Sequence, residues 1–188
     1  MRILGNEILI RDLRYSDAED FYEYAQSEEV GPRAGWKPIP SLRVAKRVIN
    51  SYMFSKEVYA IALRENDKLI GTFSIYKENI LRKYKYATQV GFSLSNLYWN
   101  RGYMTEVLEM MIDYLFTETD AEILEVCHEI SNTASKRVIE KNHFKYDGRI
   151  RKYKELYDGR IVDVDFYSLS KEEYKEIKNE KFKTQIWF

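Results

Sequence analysis

The chain has 188 residues, 45% of them hydrophobic and 15% aromatic, which is enough for one domain with a substantial core. Its 30 basic and 30 acidic residues balance, so it lacks the positive excess with which proteins bind nucleic acid. A single cysteine and two histidines exclude an internal disulfide and any cluster with metal-ligand spacing, so no metal is expected.

The N-terminal segment carries charges at Arg2, Glu7, Arg11 and Asp12, so it does not form the apolar region of a signal peptide. No apolar run approaches the roughly 20 residues that span a bilayer. The lone Cys127 is typical of a reducing compartment. We therefore expect a cytoplasmic protein without a membrane partner.

A strand, a helix and a loop are predicted at the start of the chain. Residues 7–13 alternate apolar and polar side chains in the manner of a strand. Ser16 and Asp17 stand where a helix cap belongs, ahead of an apolar-periodic segment. Residues 30–40 hold all three prolines and predict a loop, after which Ser41 is expected to cap a second helix.

A β-meander is predicted in the middle of the chain. Residues 58–64 and 68–77 predict two strands joined by a polar turn, and residues 85–95 predict a third strand. Residues 98–116 then pass from an aromatic-rich turn into a helix with apolar side chains at helical spacing.

The last third predicts a strand, a helix, a hairpin and a charged helix. Residues 122–130 predict a buried strand, and the next helix is expected to end near Asn142 in the left-handed conformation. Asp158 and Gly159 form a favoured two-residue hairpin turn. A helix over 171–178 precedes an apolar tail, which is expected to fold back onto the domain or to meet a second subunit. This order predicts an α/β (α+β) fold with a largely antiparallel sheet.

The segment YWNRGYM, residues 98–104, carries a functional signal. A strand, a tight glycine turn and a helix gather unpaired backbone N–H groups at the positive end of the helix dipole, and this arrangement binds phosphate. Gly102 leaves room for a diphosphate, and Arg101 can add a charged contact. The alternative is an ordinary helix start that an aromatic plug seals. Neither common glycine-rich nucleotide motif occurs in the chain.

Four motifs follow one another along the chain. They are the turn from Tyr98 to Glu106, the pair Asn132 and Ser135, the helix end from Lys141 to Phe144, and the closing strand from Asp163 to Leu169. In this order and spacing they resemble the GNAT superfamily of acetyl-CoA-dependent N-acetyltransferases, and within it the branch of the ribosomal-protein N-terminal acetyltransferases. The resemblance extends from the first strand to residue 170.

The resemblance implies a fold. It is a mixed, mostly antiparallel sheet of six to seven strands flanked by helices, in which the fourth and fifth strands splay apart. These strands match residues 85–95 and 122–130. Residues 1–170 would form the acetyltransferase domain, and residues 171–188 a short helix and tail.

The resemblance also implies acetyl-CoA as the co-substrate, without a metal. A backbone N–H at a bulge in the fourth strand, expected at Gly91, would polarise the thioester carbonyl, and Ser135 would donate a proton to the leaving thiolate. Met104 replaces the small residue that usually ends the phosphate turn, and simple capping of a helix is the alternative for Asn132. The implied cofactor-binding residues are Phe92, Leu94, Trp99, Asn100, Arg101, Gly102, Tyr103, Met104, Asn132 and Ser135.

The acceptor side follows from the same resemblance. The loop over the acceptor site offers Glu28, Glu29, Arg33 and Trp36 as substrate-binding residues, with solvated charges as the alternative for the first three. Glu155 matches a carboxylate position of the branch and is expected to take the proton of the amine, unless it is an exposed strand charge.

We expect the acceptor to be the N-terminal α-amine of a peptide or protein. Its pKa of about 7.7–8.0 leaves a useful neutral fraction at pH 7. Acetylation of a small amine (a polyamine, an amino acid or an aminoglycoside-like compound) and acyl-CoA binding without turnover are the alternatives. His128 is expected either to face the cofactor or to pack in the core, and the protein to be a monomer or a homodimer.

Overall fold

The computed structural model describes residues 1–76, 81–82 and 85–186, with side chains as far as residue 180. Within these residues eight strands form one sheet, and six α-helices and two short 3₁₀ turns accompany it. The strands are β1 (Arg2–Leu4), β2 (Ile8–Asp12), β3 (Val58–Leu63), β4 (Leu69–Tyr76), β5 (Ala87–Leu94), β6 (Ile123–Glu129), β7 (Lys145–Glu155) and β8 (Ile161–Ser170). The helices are α1 (Ala18–Ala25), α2 (Val30–Ala34), α3 (Leu42–Ser55), α4 (Tyr103–Glu118), α5 (Thr133–Lys141) and α6 (Lys171–Ile186), and the 3₁₀ turns are Tyr15–Asp17 and Asn96–Tyr98.

The strands lie in the order β1-β2-β3-β4-β5-β6-β8-β7. Neighbouring strands are antiparallel, apart from the parallel pair β5 and β6. The predicted mixed, mostly antiparallel sheet is confirmed. The described residues form eight strands instead of six to seven, because β1 has only 3 residues and is too short to show alternation in the sequence.

β5 and β6 separate along their length. They pair only over Ala87–Gln89 and Ile123–Glu125. Beyond these residues β5 stays paired with β4, whereas β6 stays paired with β8. The predicted splay is confirmed, and it leaves a V-shaped opening whose walls are strand edges without a strand partner.

Helices α4 and α5 cover one face of the sheet. α4 turns an apolar stripe toward β3, β4 and β5, where Ile61, Phe73 and Val90 are buried in the same core. Burying an apolar side chain of this size stabilises the fold by roughly 1.5–3 kcal/mol. The buried residues of α4 are Met104, Val107, Leu108, Met111, Ile112, Leu115 and Phe116.

Helices α1 and α3 cover the other face. Ala60 packs with these two helices, whereas its neighbour Ile61 packs with α4, because successive strand residues point to opposite faces. Ser41 caps α3 as predicted, since its Oγ accepts the N–H of Val44 at 3.4 Å.

Asp17 occupies the N-cap position of α1, as predicted, but its side chain makes no capping hydrogen bond to this helix. The carboxylate of Asp17 instead accepts two hydrogen bonds of 2.8 Å from the guanidinium of Arg11, and both side chains are buried. A buried charge needs a paired partner, and this requirement outweighs the weaker gain from capping a helix.

The predicted loop over residues 30–40 contains a short helix, α2. Pro32 lies in its first turn, where the missing N–H would have had no partner inside the helix. Gly35 ends the helix with a φ of 81°, in the left-handed region.

Two turn predictions in the last third are wrong. His143, with a φ of 64°, is the left-handed residue after α5, whereas Asn142 has a φ of −94°. The hairpin between β7 and β8 has three loop residues instead of two, because the N–H of Leu156 still bonds the carbonyl of Arg160 at 2.8 Å. Gly159 fills the left-handed position of this loop with a φ of 84°.

The C-terminal helix α6 is longer than predicted, running over Lys171–Ile186 instead of 171–178. Its Tyr174 lies against Phe116 of α4 with ring centroids 5.1 Å apart. The predicted contact of the apolar tail involves residues 182–188, whose side chains are outside the described part of the chain. Over the described part of the chain, none of the helices is long and apolar enough to cross a membrane.

Candidate active site

A cleft of about 1030 Å³ opens where β5 and β6 separate. β5 forms one wall and β6 the other, and the first turn of α4, α5, α2 and the strands β7 and β8 complete the lining. Of the residues predicted for the cofactor and the acceptor, those that line the cleft are Arg33, Phe92, Leu94, Trp99, Asn100, Gly102, Tyr103, Met104, Asn132 and Ser135. Those that do not line it are Glu28, Glu29, Trp36, Arg101 and Glu155.

The turn before α4 presents free backbone amides to the cleft. Asn100 and Gly102 have positive φ angles of 60° and 84°. Gly102 is the N-cap and has no side chain to cap the helix, and the N–H of Glu106 is bonded to the Gly102 carbonyl. The amides of the first turn therefore lack intrahelical acceptors. A Cβ built on Gly102 meets nothing within 4 Å, so the space beside the turn is open to an anion.

Trp99 supports this turn from below. Its indole N–H donates to the carbonyl of Leu94 at 2.9 Å, which ties the turn to the end of β5. The guanidinium of Arg33 lies 4.9 Å from the centre of the indole ring. Arg101 instead lies over the ring of Tyr98 at 5.4 Å, so the structure does not bring its charge to the cleft wall. Trp99 therefore packs beneath the turn as an aromatic plug would, and the space beside Gly102 is still open to a ligand.

Met104 stands in the first turn of α4 but packs mainly into the core. Its side chain is 7% exposed and belongs to the same buried cluster as Leu94 and Val107. Met104 also lines the cleft, but its small exposed fraction shows that most of the side chain is buried in the core.

The edge of β5 faces the cleft with unpaired backbone groups. The N–H of Ser95 donates to the carbonyl of Ile70 on β4 at 2.8 Å. Because backbone direction alternates along a strand, the N–H groups of Phe92 and Leu94 point the other way, toward the diverging β6. These donors could polarise a carbonyl oxygen in the cleft.

The expected bulge at Gly91 is absent. The pairing of β5 with β4 runs without a register shift from Gln89 to Leu94. Gly91 instead leaves room for the side chain of Tyr76, since a Cβ at residue 91 would lie 2.9 Å from the hydroxyl oxygen of Tyr76. The splay alone, without a bulge, frees the edge of β5.

Asn132 and Ser135 meet at the start of α5. The Oδ1 of Asn132 accepts the N–H of Ser135 at 3.1 Å, so Asn132 caps the helix. Its Nδ2 donates to the carbonyl of Arg33 at 3.1 Å, which links α5 to α2 across the cleft. Ser135 lines the cleft one turn into the helix. The capping alternative therefore holds for Asn132, which also faces the cleft.

Helix α2 spans the mouth of the V-shaped opening. Besides the bond to Asn132, the carboxylate of Glu29 accepts the side-chain N–H of Asn96 at 2.8 Å. Trp36 covers Gly31, where an added Cβ would lie 2.9 Å from the indole ring. Glu29 and Trp36 therefore hold α2 in place, and Glu28 is exposed away from the cleft.

Glu155 lies on the wrong strand face to reach the cleft. It pairs with the exposed Ile161, whereas its neighbour Lys154 pairs with Val162, which lines the cleft. Glu129, at the end of β6, is the one carboxylate among the described residues that line the cleft. The Oγ of Ser131 donates to it at 2.8 Å.

The sequence reasoning also missed several cations of the cleft wall, Arg137, Lys141 and Lys154. Helical spacing was the available signal for the first two, because residues 137 and 141 share a face of α5 with Ala134, which also lines the cleft, at intervals of three and four. Lys154 had no such signal, because its orientation depends on the β7–β8 register.

His128 and Cys127 both line the cleft. The Nδ1 of His128 lies 2.7 Å from the carbonyl oxygen of Glu129, and its Nε2 lies 3.3 Å from the hydroxyl of Tyr167, whose ring stacks on it. Both ring nitrogens have partners, so His128 is a packed residue at the cleft wall. Burial raises the pKa of the Cys127 thiol to about 11, which leaves it protonated and unsuited to nucleophilic attack.

Comparison with known proteins decides the family. The profile of the acetyltransferase (GNAT) domain matches residues 7–145, which is most of the chain. The chain belongs to the GNAT acetyltransferase family. As a GNAT protein it is an N-acetyltransferase, and its cleft occupies the split between β5 and β6 of that domain.

Two further comparisons agree with this GNAT assignment. The chain is 26% identical over 172 residues to the uncharacterised N-acetyltransferase p20 of Bacillus licheniformis, an alignment that covers 89% of this chain and 94% of p20. A GNAT-family acetyltransferase structure from Bacillus anthracis has a TM-score of 0.82 at 21% identity, over 92% of this chain and 100% of the other.

A second similar structure contains the coenzyme. RimL, a ribosomal L7/L12 α-N-protein acetyltransferase in complex with coenzyme A, has a TM-score of 0.76 at 17% identity, over 90% of this chain and 98% of its own. At such identities the two structures establish that this GNAT chain shares their fold.

Proposed function

We propose that the protein transfers an acetyl group from acetyl-CoA to the N-terminal α-amine of a peptide or protein. The cleft carries this proposal, because one continuous cavity joins the free amides before α4, the unpaired edge of β5 and the carboxylate of Glu129. Amide donors suit an anionic cofactor, and a carboxylate suits an amine. Acetyl-CoA would supply the acetyl thioester when bound.

The cofactor end uses backbone and hydroxyl groups. The amides from Gly102 into the first turn of α4 would hold the diphosphate. The N–H groups of Phe92 and Leu94 would face the thioester oxygen. The hydroxyl of Ser135 would donate a proton to the sulfur as the thiolate leaves, and a thiol pKa of about 8.5 makes so weak an acid sufficient.

At the acceptor end, Glu129 would take the ammonium proton. The position of Glu129 in the cleft supports this role, whereas Glu155 lies on the opposite strand face. If an α-amine is the acceptor, its pKa of about 7.7–8.0 requires little help from the base. Deprotonation of a lysine side chain, with a pKa of about 10.4, would require about 3.5 kcal/mol more than deprotonation of the α-amine.

Two other observations support the proposal. RimL, which shares the fold, is described as an α-N-protein acetyltransferase. The single free cysteine supports a location in the reducing cytoplasm.

Thiol release tests the function directly. The purified protein is mixed with acetyl-CoA and, separately, with short peptides that have free N-termini, the same peptides with blocked N-termini and a lysine side chain, and polyamines. We expect free thiol and acetylated product with the first group only. Turnover with polyamines alone would point to a small amine, and stabilisation by coenzyme A without thiol release from any amine would point to a binding protein.

The role of Glu129 is tested by its pH dependence. Glu129→Gln is expected to lower kcat/KM most below the pKa of the acceptor amine, where the ammonium form dominates, and less above it. Glu155→Gln, on β7 and outside the cleft lining, is the matched control and is expected to leave the pH profile unchanged. The same loss at every pH in Glu129→Gln would mean that Glu129 is not the proton acceptor.

A further inference from the structure

The charged residues that line the cleft are mostly positive. Among the described lining residues, Glu129 is the carboxylate, against the cations Arg33, Arg137, Lys141 and Lys154. An anionic cofactor accounts for the two on α5. The residue after Lys141 donates its side-chain amide to the carbonyl of Thr105, which brings this end of α5 to the first turn of α4. Lys154, in contrast, lies on β7 and not on α5.

Lys154 belongs to the acceptor end. Its Nζ stands over Gly35 at the end of α2, where an added Cβ would lie 2.5 Å from it. Its charge also reaches Cys127 on β6, where it opposes the rise in the pKa of the thiol that burial causes. Between the described residues, no carboxylate lies within the 4.0 Å of an ion pair with Lys154. The Lys154 ammonium is therefore not neutralised by the protein in this part of the chain.

The sheet register fixes where Lys154 stands relative to Glu129. Glu129 pairs with Val164 of β8 from one side, and Lys154 pairs with Val162 of β8 from the other. Directly opposed residues share a sheet face, so both side chains lie on the face of Val162 and Val164, which line the cleft. Two strand spacings and a two-residue offset separate their Cα atoms by about 12 Å.

We propose that Lys154 selects an acceptor with a negative charge close to its amine, namely a peptide with Asp or Glu at its second or third position. The separation fits such a peptide. Successive residues of an extended peptide are about 3.3–3.6 Å apart, so its amine and its acidic side chain can meet Glu129 and Lys154 together. The inference rests on the proposed function.

The test compares peptides that differ in one charge. Three peptides of equal length carry glutamate, glutamine or lysine at the second position, and kcat/KM is measured for each at saturating acetyl-CoA. The unaltered protein is expected to prefer glutamate over glutamine by about fivefold, the upper range for a partly exposed ion pair. Higher ionic strength should reduce this preference. Binding of the same peptides without cofactor, by calorimetry, should show the same order.

Two variants assign the preference to Lys154. Lys154→Met keeps the length of the side chain without its charge and is expected to bring the glutamate-to-glutamine ratio to about one. Lys154→Glu is expected to favour the lysine peptide. Lys152→Met, on the same strand and outside the cleft lining, changes the net charge equally and should leave the ratio as it was.

The outcomes separate this inference from the proposed function. Acetylation of all three peptides at equal rates, or a preference that persists in Lys154→Met, would overturn the role of Lys154 and leave the function standing. Absence of thiol release with every amine would overturn the function, and the acceptor preference with it.

Discussion

Gly102 and Gly159 adopt the same backbone conformation in different places. Both have a φ of 84°, and a Cβ on either would meet no atom within 4 Å. Gly159 turns a hairpin at the surface, whereas Gly102 opens the amides of α4 toward the cleft. Substitutions at these two glycines therefore distinguish the free-energy cost of a strained backbone from the loss of a ligand site.

Gly102→Ala is expected to lower stability and coenzyme A affinity together. An alanine in the left-handed region costs roughly 1–2 kcal/mol, and a methyl group would also stand in the space for the diphosphate. Gly159→Ala should lose a similar free energy of unfolding with unchanged coenzyme A affinity. Denaturant unfolding and calorimetry measure the two quantities. Unchanged coenzyme A affinity in Gly102→Ala would contradict the assignment of the turn.

Ser135 lines the cleft, and in the proposed function its hydroxyl donates a proton to the leaving sulfur. Ser135→Ala is expected to lower kcat by about 10²-fold or more, with little change in acetyl-CoA affinity, because loss of a general acid affects the transition state. Thr133→Ala, at the exposed first position of the same helix, is the control. Equal turnover in Ser135→Ala would remove the hydroxyl from the mechanism.

At the scale of elements, β7 carries Lys154, which lines the cleft, and an ion pair holds this strand to β8. The guanidinium of Arg149 donates to both carboxylate oxygens of Asp165, at 2.7 and 2.9 Å. These hydrogen bonds lower the pKa of Asp165, and His128 and Tyr146 add to the effect. The orientation of Lys154 depends on this anchoring, since it follows the β7–β8 register.

The same ion pair makes the fold sensitive to acid. The pKa of Asp165 is lower in the folded than in the unfolded state, so the pair stabilises the fold above the unfolded value of about 3.9 and this stability is lost as pH falls further. Asp165→Asn is expected to be less stable at pH 7 and to lose less stability on acidification. Denaturant unfolding at neutral and acid pH tests this, with the exposed Asp120→Asn as control. Parallel stability curves for Asp165→Asn and the unaltered protein would contradict it.

At the scale of the whole molecule, the cleft is an opening that both halves of the sheet create. β1 to β5 form one half, β6 to β8 the other, and the two are joined by a short parallel pairing and bridged by α2. A ligand that contacts both halves stabilises the folded state, because it binds the unfolded chain poorly.

Coenzyme A is therefore expected to raise the melting temperature. At one hundred times its dissociation constant, a ligand stabilises the folded state by about 2.7 kcal/mol. For a chain of this length each kcal/mol corresponds to about 2–4 °C, so a shift of about 5–10 °C is expected. Dephospho-coenzyme A and free pantetheine serve as truncated control ligands in the thermal scan. No shift at high coenzyme A would contradict a coenzyme site in this cleft.

Local patterns in the sequence determined much of this protein. Strand alternation, the cap at Ser41 and the turn at Gly102 depend on neighbours within a few residues, so the sequence alone identified them. The family motifs added the mixed, mostly antiparallel sheet and the splay of its two central strands, whereas the strand order came from the structure. The sequence placed Asp17 at the start of α1 but did not reveal its ion pair with Arg11, because this pair joins β2 to the turn before α1.

Only the tertiary structure decided which charged residues of β7 line the cleft. β7 pairs with β8 through two register shifts, one between Tyr146 and Gly148 and one between Ile150 and Lys154. A shift of one residue moves every later side chain to the other face, so no periodicity in the sequence predicts which of Lys154 and Glu155 points into the cleft. The chain therefore encodes the cofactor turn locally, whereas the acceptor side depends on strand pairing between distant segments.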